Sequence, residues 1–187
     1  LVYLKPYFIS VTIKDMTHYP NLQILAFVGL SGSGKTTAVE HFTEKGYPKV
    51  YFGGIVYQAM AEAGIEKGLE TENAFRVDIR KREGEDFIVK RVIKQIQDLA
   101  EAGQHRIIAD GIYSWPEYVA MKHAFPGQLH VVAVTAPKAK RYHWLENRPD
   151  RPQSHDVTTE RDRHEIEDIQ KGGPIAAADY FVMNNGS

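Results

Sequence analysis

The stretch Val28 to Thr37, VGLSGSGKTT, follows the apolar run Ile24, Leu25, Ala26, Phe27 and Val28, and its reading decides the fold. Within it, Gly29 to Thr36 satisfies GxxxxGK[ST], placed after a strand-like run and before a helix-like one, as that motif requires. Glycines at 29, 32 and 34 permit a backbone path that side chains would strain, so the amides from Gly29 through Ser31, Gly32, Ser33 and Gly34 can turn inward around an anion. The following helix adds its positive N-terminal end. Lys35 reaches the β- and γ-phosphates of a nucleoside triphosphate, and the Thr36 hydroxyl coordinates a Mg2+ that bridges them. Thr37 closes this segment as the start of the helix. The bland alternative is a glycine-rich turn with a solvated lysine; agreement of the motif with both flanks favours the phosphate site.

Further apolar runs of strand length recur at Val50 to Phe52, Ile107 to Ala109, Leu129 to Val134 and Tyr180 to Met183, each separated from the next by helix-like sequence. Such alternation predicts an α/β fold in which helices cover both faces of a five-stranded parallel sheet. Gly46 ends the helix that begins near Lys35. The longest helix is expected over Asp86 to Ala102, where Ile88, Val92, Ile96 and Leu99 repeat at near-helical spacing and Gly103 supplies the stop. Ser114 and Glu117 have the spacing of a capping box for a helix running to about Ala124. Between Arg148 and Val157, RPDRPQSHDV reads as an exposed loop and a candidate lid. Glu160 to Lys171 reads as a solvated amphipathic helix with Ile166 and Ile169 as its apolar contacts.

At 187 residues the chain is expected to form one domain over 23–187, preceded by an extension over 1–22. Met16 is a candidate start, which would make Leu1 to Asp15 an appendage; packing of Tyr7 to Ile13 into the main core would contradict that. The chain begins at Leu1 and stops straight after a strand-like run, which reads as a fragment. The balance of 23 Lys+Arg against 24 Asp+Glu gives no global pull toward nucleic acid or an anionic membrane. Absence of cysteine removes disulfides, thiolate metal sites and thiol catalysis, and fits a cytoplasmic location. No run approaches the roughly 20 apolar residues that span a bilayer.

The run RIIADG ends in Asp110, which puts a carboxylate at the same sheet edge as the loop. There Asp110 can hold Mg2+ through water, or serve the turn with Gly111. At these residues the chain resembles the P-loop nucleotide kinases, in particular adenylate-kinase-like and dephospho-coenzyme-A-kinase-like proteins, over about Ile24 to Ser187. ADGIYSWPE is similar to their DGxPR segment, VTAPKAKRYHWLENR to their VxAPxxxRxxRLxxR segment, and ADYFVMNNGS to their closing strand and turn. The resemblance implies a three-layer fold with a small lid, ATP with Mg2+ as donor, a nucleotide or nucleotide-like acceptor, and catalytic arginines. Arg141 and Arg148 fall on family arginines and Arg151 lies in the lid-like loop, where charge-assisted contacts suit a transferring phosphoryl group. Each arginine also reads as a solvated surface charge.

The acceptor side departs from the family. In VYFGGIVYQAM, Gly54 stands at the expected aspartate and Tyr57 at the expected arginine, and Tyr113 replaces a basic residue after the third strand. A tyrosine can stack or donate one hydrogen bond but cannot neutralise a phosphate dianion. Tyr57 reads equally as a packing residue. Arg76 and Arg80, four apart on an expected helix Thr71 to Arg82, offer substitute cations for the acceptor, or an exposed face paired with Glu72 and Glu83. Asp110, Gly111 and Tyr113 complete the candidate acceptor pocket. Only Asp110 is placed as a base; an acceptor phosphate needs none, because its oxygen is already anionic. Trp144 suits either core packing or stacking on adenine, and His155 and His164 match no zinc spacing. The sequence therefore favours ATP-dependent phosphoryl transfer to a small nucleotide-type acceptor, with a dephospho-coenzyme-A-kinase-like enzyme and an ATP-binding switch of little turnover as alternatives.

Overall fold

The computed structural model describes residues 19–66 and 69–186; the side chains at 69, 70, 72, 73, 76, 77 and 80 are outside that description. The expectations for Met16 and for Tyr7 to Ile13 lie outside the described residues. In chain order the elements are β1 (Gln23–Val28), α1 (Lys35–Thr43), β2 (Lys49–Tyr51), α2 (Ile55–Glu62), α3 (Leu69–Glu83), α4 (Phe87–Glu101) and β3 (Arg106–Asp110). There follow α5 (Trp115–Ala124), β4 (Leu129–Thr135), α6 (Lys138–Asn147), α7 (His155–Glu167), α8 (Gly172–Ala176) and β5 (Tyr180–Met183).

The five strands form one parallel sheet in the order β2-β3-β1-β4-β5. Alternation along β1 explains both covered faces: Ile24, Ala26 and Val28 join the larger core with residues of α2, α4 and α5, while Phe27 faces the opposite side with Val39 of α1, Ile108 and Val132. Of the expected stripe on α4, Val92 and Ile96 are fully buried, Ile88 and Leu99 are partly buried against the same core, and Phe87, which the spacing did not single out, is buried beside them; each fully buried side chain stabilises the fold by about 1.5–3 kcal/mol. The capping box before α5 is also present, with Ser114 Oγ accepting the Glu117 N–H at 3.3 Å and Glu117 accepting the Ser114 N–H at 3.0 Å. Leu22 is buried in the larger core and Tyr19 packs against it.

Two boundaries differ from the sequence expectations. β2 ends at Tyr51 and the chain turns through a 3-10 segment over Phe52–Gly54, because the Tyr51 ring lies over the two glycines; a Cβ at Gly53 would stand 2.6 Å from Tyr51 Cζ. The expected helix Glu160 to Lys171 instead runs His155–Glu167, absorbing the end of the expected lid. Ser154 starts it by accepting the Val157 N–H at 3.4 Å, and Gln170 at φ 61 lies beyond its end. Its inward face also differs: Ile166 is 49 % exposed, whereas Thr158, Asp162 and Glu165 are buried.

Parallel strands deliver their carboxyl ends to one edge, and register fixes what meets there. Phe27 of β1 pairs with Asp110 of β3, and Asp110 with Tyr51 of β2. The loop after β1 therefore lies beside Asp110 and Tyr51, at the edge where open α/β sheets bind ligands.

Candidate active site

Three glycines set the path of the loop from Gly29 to Gly34. Gly32 and Gly34 have φ of 77° and 94°, conformations that side chains rarely adopt. Space is equally restrictive: a Cβ at Gly32 would lie 2.8 Å from Leu145 Cγ, and one at Gly29 would strike the Val134 carbonyl oxygen. The loop runs straight into α1, whose first-turn amides at Lys35, Thr36 and Thr37 have no acceptor within the helix. Thr36 and Thr37 are exposed. Ser33 Oγ is buried without a hydrogen-bond partner among the described residues. Free amides, a helix N-terminus, an orphan hydroxyl and an ammonium form a donor set that fits a polyphosphate.

Lys35 donates from Nζ to Asp110 Oδ1, and both side chains are largely buried. The carboxylate at the end of β3 thus occupies the position of an anion beside the loop lysine. Thr36 and Asp110 are the hydroxyl and carboxylate that would hold Mg2+.

The loop forms one wall of a cleft of about 960 Å³, to which Tyr51, Tyr113, Trp144, Arg148, Arg161 and Lys171 contribute other walls. A second cleft of about 820 Å³ opens at the opposite edge of the sheet, beside Gln104, His105 and Gln128. It contains none of the phosphate loop, so the motif and the larger volume select the same site.

The candidate arginines are placed in three different settings. Arg141, 5 % exposed, grips Asp162 bidentately at 3.0 and 2.6 Å and donates to the Ser31 carbonyl at 2.8 Å. Tyr142 Oη adds a bond to the same carboxylate at 3.2 Å. Its guanidinium therefore fastens α6 to α7 and to the loop. Arg148 lines the cleft and donates from Nε to the Arg151 carbonyl at 2.5 Å. Arg151 is almost wholly exposed, with φ 52° and Asp150 3.9 Å away.

Tyr113, a candidate acceptor residue, is half-buried and lines the cleft together with Tyr51. Burial first, and then the neighbouring Tyr51 and Asp110, push the Tyr113 phenol well above the ordinary tyrosine range, so it stays protonated and available for hydrogen bonding. The Tyr113 ring covers Gly111, where a Cβ would stand 2.8 Å from Tyr113 Cζ. Tyr57 is half-buried on α2 and does not line the cleft. Arg76 and Arg80 lie on α3 as expected, and their side chains are outside the description. Trp144, half-buried, faces the cleft. Among the described residues no group of acidic and histidine side chains could hold a metal ion by itself, and His155 and His164 are surface residues.

Three residues with evident roles escaped the sequence reading. Asn184, just past β5, donates from Nδ2 to the Ser33 carbonyl at 3.1 Å. Asp162 anchors Arg141. Glu165 accepts from the Ser31 N–H at 3.4 Å, from Arg161 at 3.2 Å and from Lys171 at 2.9 Å. The spacing 158, 162, 165 marks one helix face, the signal that could have shown Asp162 and Glu165 turning inward together.

A family model described as an AAA domain matches residues 25–170. Over 169 residues the chain is 35% identical to a UPF0200 protein of Thermococcus kodakarensis, covering 88% of this chain and 89% of that protein. A crystal structure from Thermus thermophilus matches with a TM-score of 0.60 at 17% identity, covering 89% of this chain and 90% of that one. Shikimate kinase from Acinetobacter baumannii, solved with shikimate, matches with a TM-score of 0.50 at 18% identity over 93% and 88% of the two chains. At these identities the two solved structures show a shared fold, that of the P-loop kinases.

Proposed function

We propose, from the premise that the chain belongs to the AAA-domain family and has the P-loop kinase fold, that it transfers the γ-phosphoryl group of ATP to a small nucleotide-type acceptor. The observation that carries this reading is convergence: Arg148, Arg161 and Lys171, from the second half of the chain, face the same cleft as the phosphate loop. Cations across from the loop suit a phosphoryl group in flight, because its transition state spreads charge over peripheral oxygens.

In this reading the loop amides and the α1 N-terminus hold the β-phosphate, and Lys35 exchanges its bond to Asp110 for one to the β- and γ-phosphates. Thr36 and Asp110 are the residues that would hold a Mg2+, which when bound would neutralise phosphate charge. The bond from the γ-phosphorus to its bridging oxygen breaks, ADP leaves with the electron pair, and an anionic acceptor oxygen forms the new bond. No proton need be removed when the acceptor is a phosphate. Arg148 lines the cleft and Arg151 lies on the lid-like loop beside it, while Arg141 supports the loop from behind; Tyr113, Gly111, Arg76 and Arg80 are assigned to the acceptor, and Tyr57 to packing on α2. The Tyr51–Tyr113 pair offers aromatic faces and hydroxyls instead of cations, which also suits a dephospho-coenzyme-A-like acceptor.

A cytoplasmic location, with no membrane or nucleic-acid partner, belongs to the same reading; no described helix is long and apolar enough to cross a membrane. A second reading, an ATP-binding switch, is favoured by one feature: Gly54, Tyr57 and Tyr113 bring no positive charge to the acceptor side.

The test is ADP release from ATP–Mg2+ with nucleoside monophosphates, dephospho-coenzyme A or no acceptor, with Lys35→Ala as the blank. Acceptor-stimulated turnover that disappears in the variant is expected. Binding of ATP with no acceptor raising turnover above the blank would instead support the switch.

A further inference from the structure

A buried lysine stands where the loop wall of the cleft meets the exit of β3. Lys171 is 4 % exposed and donates to Glu165 Oε2 at 2.9 Å. That oxygen also accepts the Ser31 N–H of the loop at 3.4 Å, while the other oxygen accepts from Arg161 at 3.2 Å. On its other side the Lys171 ammonium lies 4.9 Å from the centre of the Tyr113 ring. It is also near enough to Lys35 to feel its charge. Lys171 therefore bridges the two walls, one belonging to the phosphate loop and the other to the acceptor side.

Charge balance distinguishes this cluster from its neighbours. Lys35 is matched by Asp110 and Arg141 by Asp162, each pair neutral. Arg161 and Lys171 share the single carboxylate of Glu165, which leaves one positive charge in excess beside the cleft. Burial pushes the Lys171 ammonium below the ordinary lysine range, with Glu165 opposing that shift. An incoming anion would offset both the excess charge and the burial. The loop amides and the α1 N-terminus already serve the β-phosphate, and Lys171, standing between the loop-bound Glu165 and Tyr113, is placed for the terminal phosphate at the junction of the two walls.

We propose that Lys171 reads the terminal phosphate of a bound nucleoside triphosphate, so that the cleft distinguishes triphosphate from diphosphate through this residue. The proposal rests on the reading of the cleft as a nucleotide site. Lys171 makes and breaks no covalent bond; it neutralises charge on the terminal phosphate and on the face turned toward the acceptor.

The test is calorimetric titration of the full chain with ADP–Mg2+ and with the non-hydrolysable β,γ-imido analogue of ATP with Mg2+. Three proteins are compared: the parent, Lys171→Met, and Lys171→Met combined with Glu165→Gln. The double variant removes the carboxylate that the single variant leaves short of a partner, and it decides the outcome if Lys171→Met melts well below the parent. The expected result is that the affinity ratio of analogue to ADP falls about tenfold in the variants, while ADP affinity stays within about twofold of the parent. A ratio unchanged in the double variant, whether both ligands weaken alike or neither does, overturns the proposal and leaves the nucleotide reading standing. A parent chain that binds neither ligand overturns the nucleotide reading, and the proposal with it.

Discussion

Replacement of Arg141 by Met separates two roles that the sequence leaves together, contact with a phosphoryl group and support of the loop. The side chains of Arg141 and Asp162 are 6% and 12% exposed, and two bonds of 3.0 and 2.6 Å join them. Without the guanidinium, Asp162 keeps the Tyr142 hydroxyl at 3.2 Å but loses both bonds from Arg141, and the Ser31 carbonyl loses a donor at 2.8 Å. Removal of one member of a buried, bidentate ion pair costs about 3–5 kcal/mol. For a chain of this length, at about 2–4 °C per kcal/mol, the melting temperature should drop by roughly 6–20 °C.

Exchange of both members tests the cause. Arg141→Met with Asp162→Leu replaces the pair by apolar groups of similar bulk, and should recover most of the loss because no charge is left stranded. Nucleotide affinity should stay reduced in both variants, since neither holds the Ser31 carbonyl. Urea and thermal unfolding give the stabilities, and titration with ADP gives the affinity. The reasoning is refuted if Arg141→Met melts within about 2 °C of the parent while acceptor-dependent ADP release collapses. That pattern belongs to an arginine free to touch phosphate.

Two further predictions concern the loop and the last strand. Gly34→Ala forces a side chain onto φ 94° and brings its Cβ to 2.5 Å from Asn184 Nδ2, the atom that holds the Ser33 carbonyl. It should cost about 1–3 kcal/mol and weaken ADP binding. Gly46→Ala, at φ 86° with open space around it, should cost only about 1 kcal/mol, and equal losses measured by urea unfolding would contradict the steric account. Asp179 accepts the Val131 N–H at 2.7 Å and pairs with Lys122 at 3.0 Å. Its partial burial alone would raise the carboxyl pKa, but these two donors together hold it below the usual range. The stabilisation is therefore present above the unfolded pKa of about 3.9 and lost as pH falls through the lower folded value. Since Asp179 is more than a third exposed, Asp179→Asn should cost only about 1 kcal/mol at pH 7, and the gap to the parent should close in acid unfolding curves below about pH 4.

What was legible in the sequence was local. The apolar run of β1, the α4 positions Val92 and Ile96, the Ser114–Glu117 box and the GxxxxGK[ST] segment each declare themselves within a few residues, because period, cap and turn are short-range constraints. The face of α7 was not legible in the same way. Charges alternate through ERDRHEIEDIQK, and although the spacing 158, 162, 165 marks one face, it is Arg141 and Ser31, brought in by the fold, together with Lys171 that give Asp162 and Glu165 their inward partners while Ile166 faces water. Arg141 shows the same limit from the other side: its position on a family-like segment suggested phosphate contact, and only a residue 21 positions later shows what it grips.

The supports of the loop are the most distant contacts of all. Ser31 is held by Arg141 and Glu165, 110 and 134 residues away, and Ser33 by Asn184 at 151. The motif can thus be read on its own, whereas its geometry is set by α6, α7 and the end of β5. The same arrangement works in reverse. Glu165 takes a loop amide that would otherwise face an anion, and Asp110 takes the ammonium of Lys35. A phosphate entering the loop would compete with both carboxylates, and so would shift the charge balance of α7 and of the Lys171 cluster beside Tyr113.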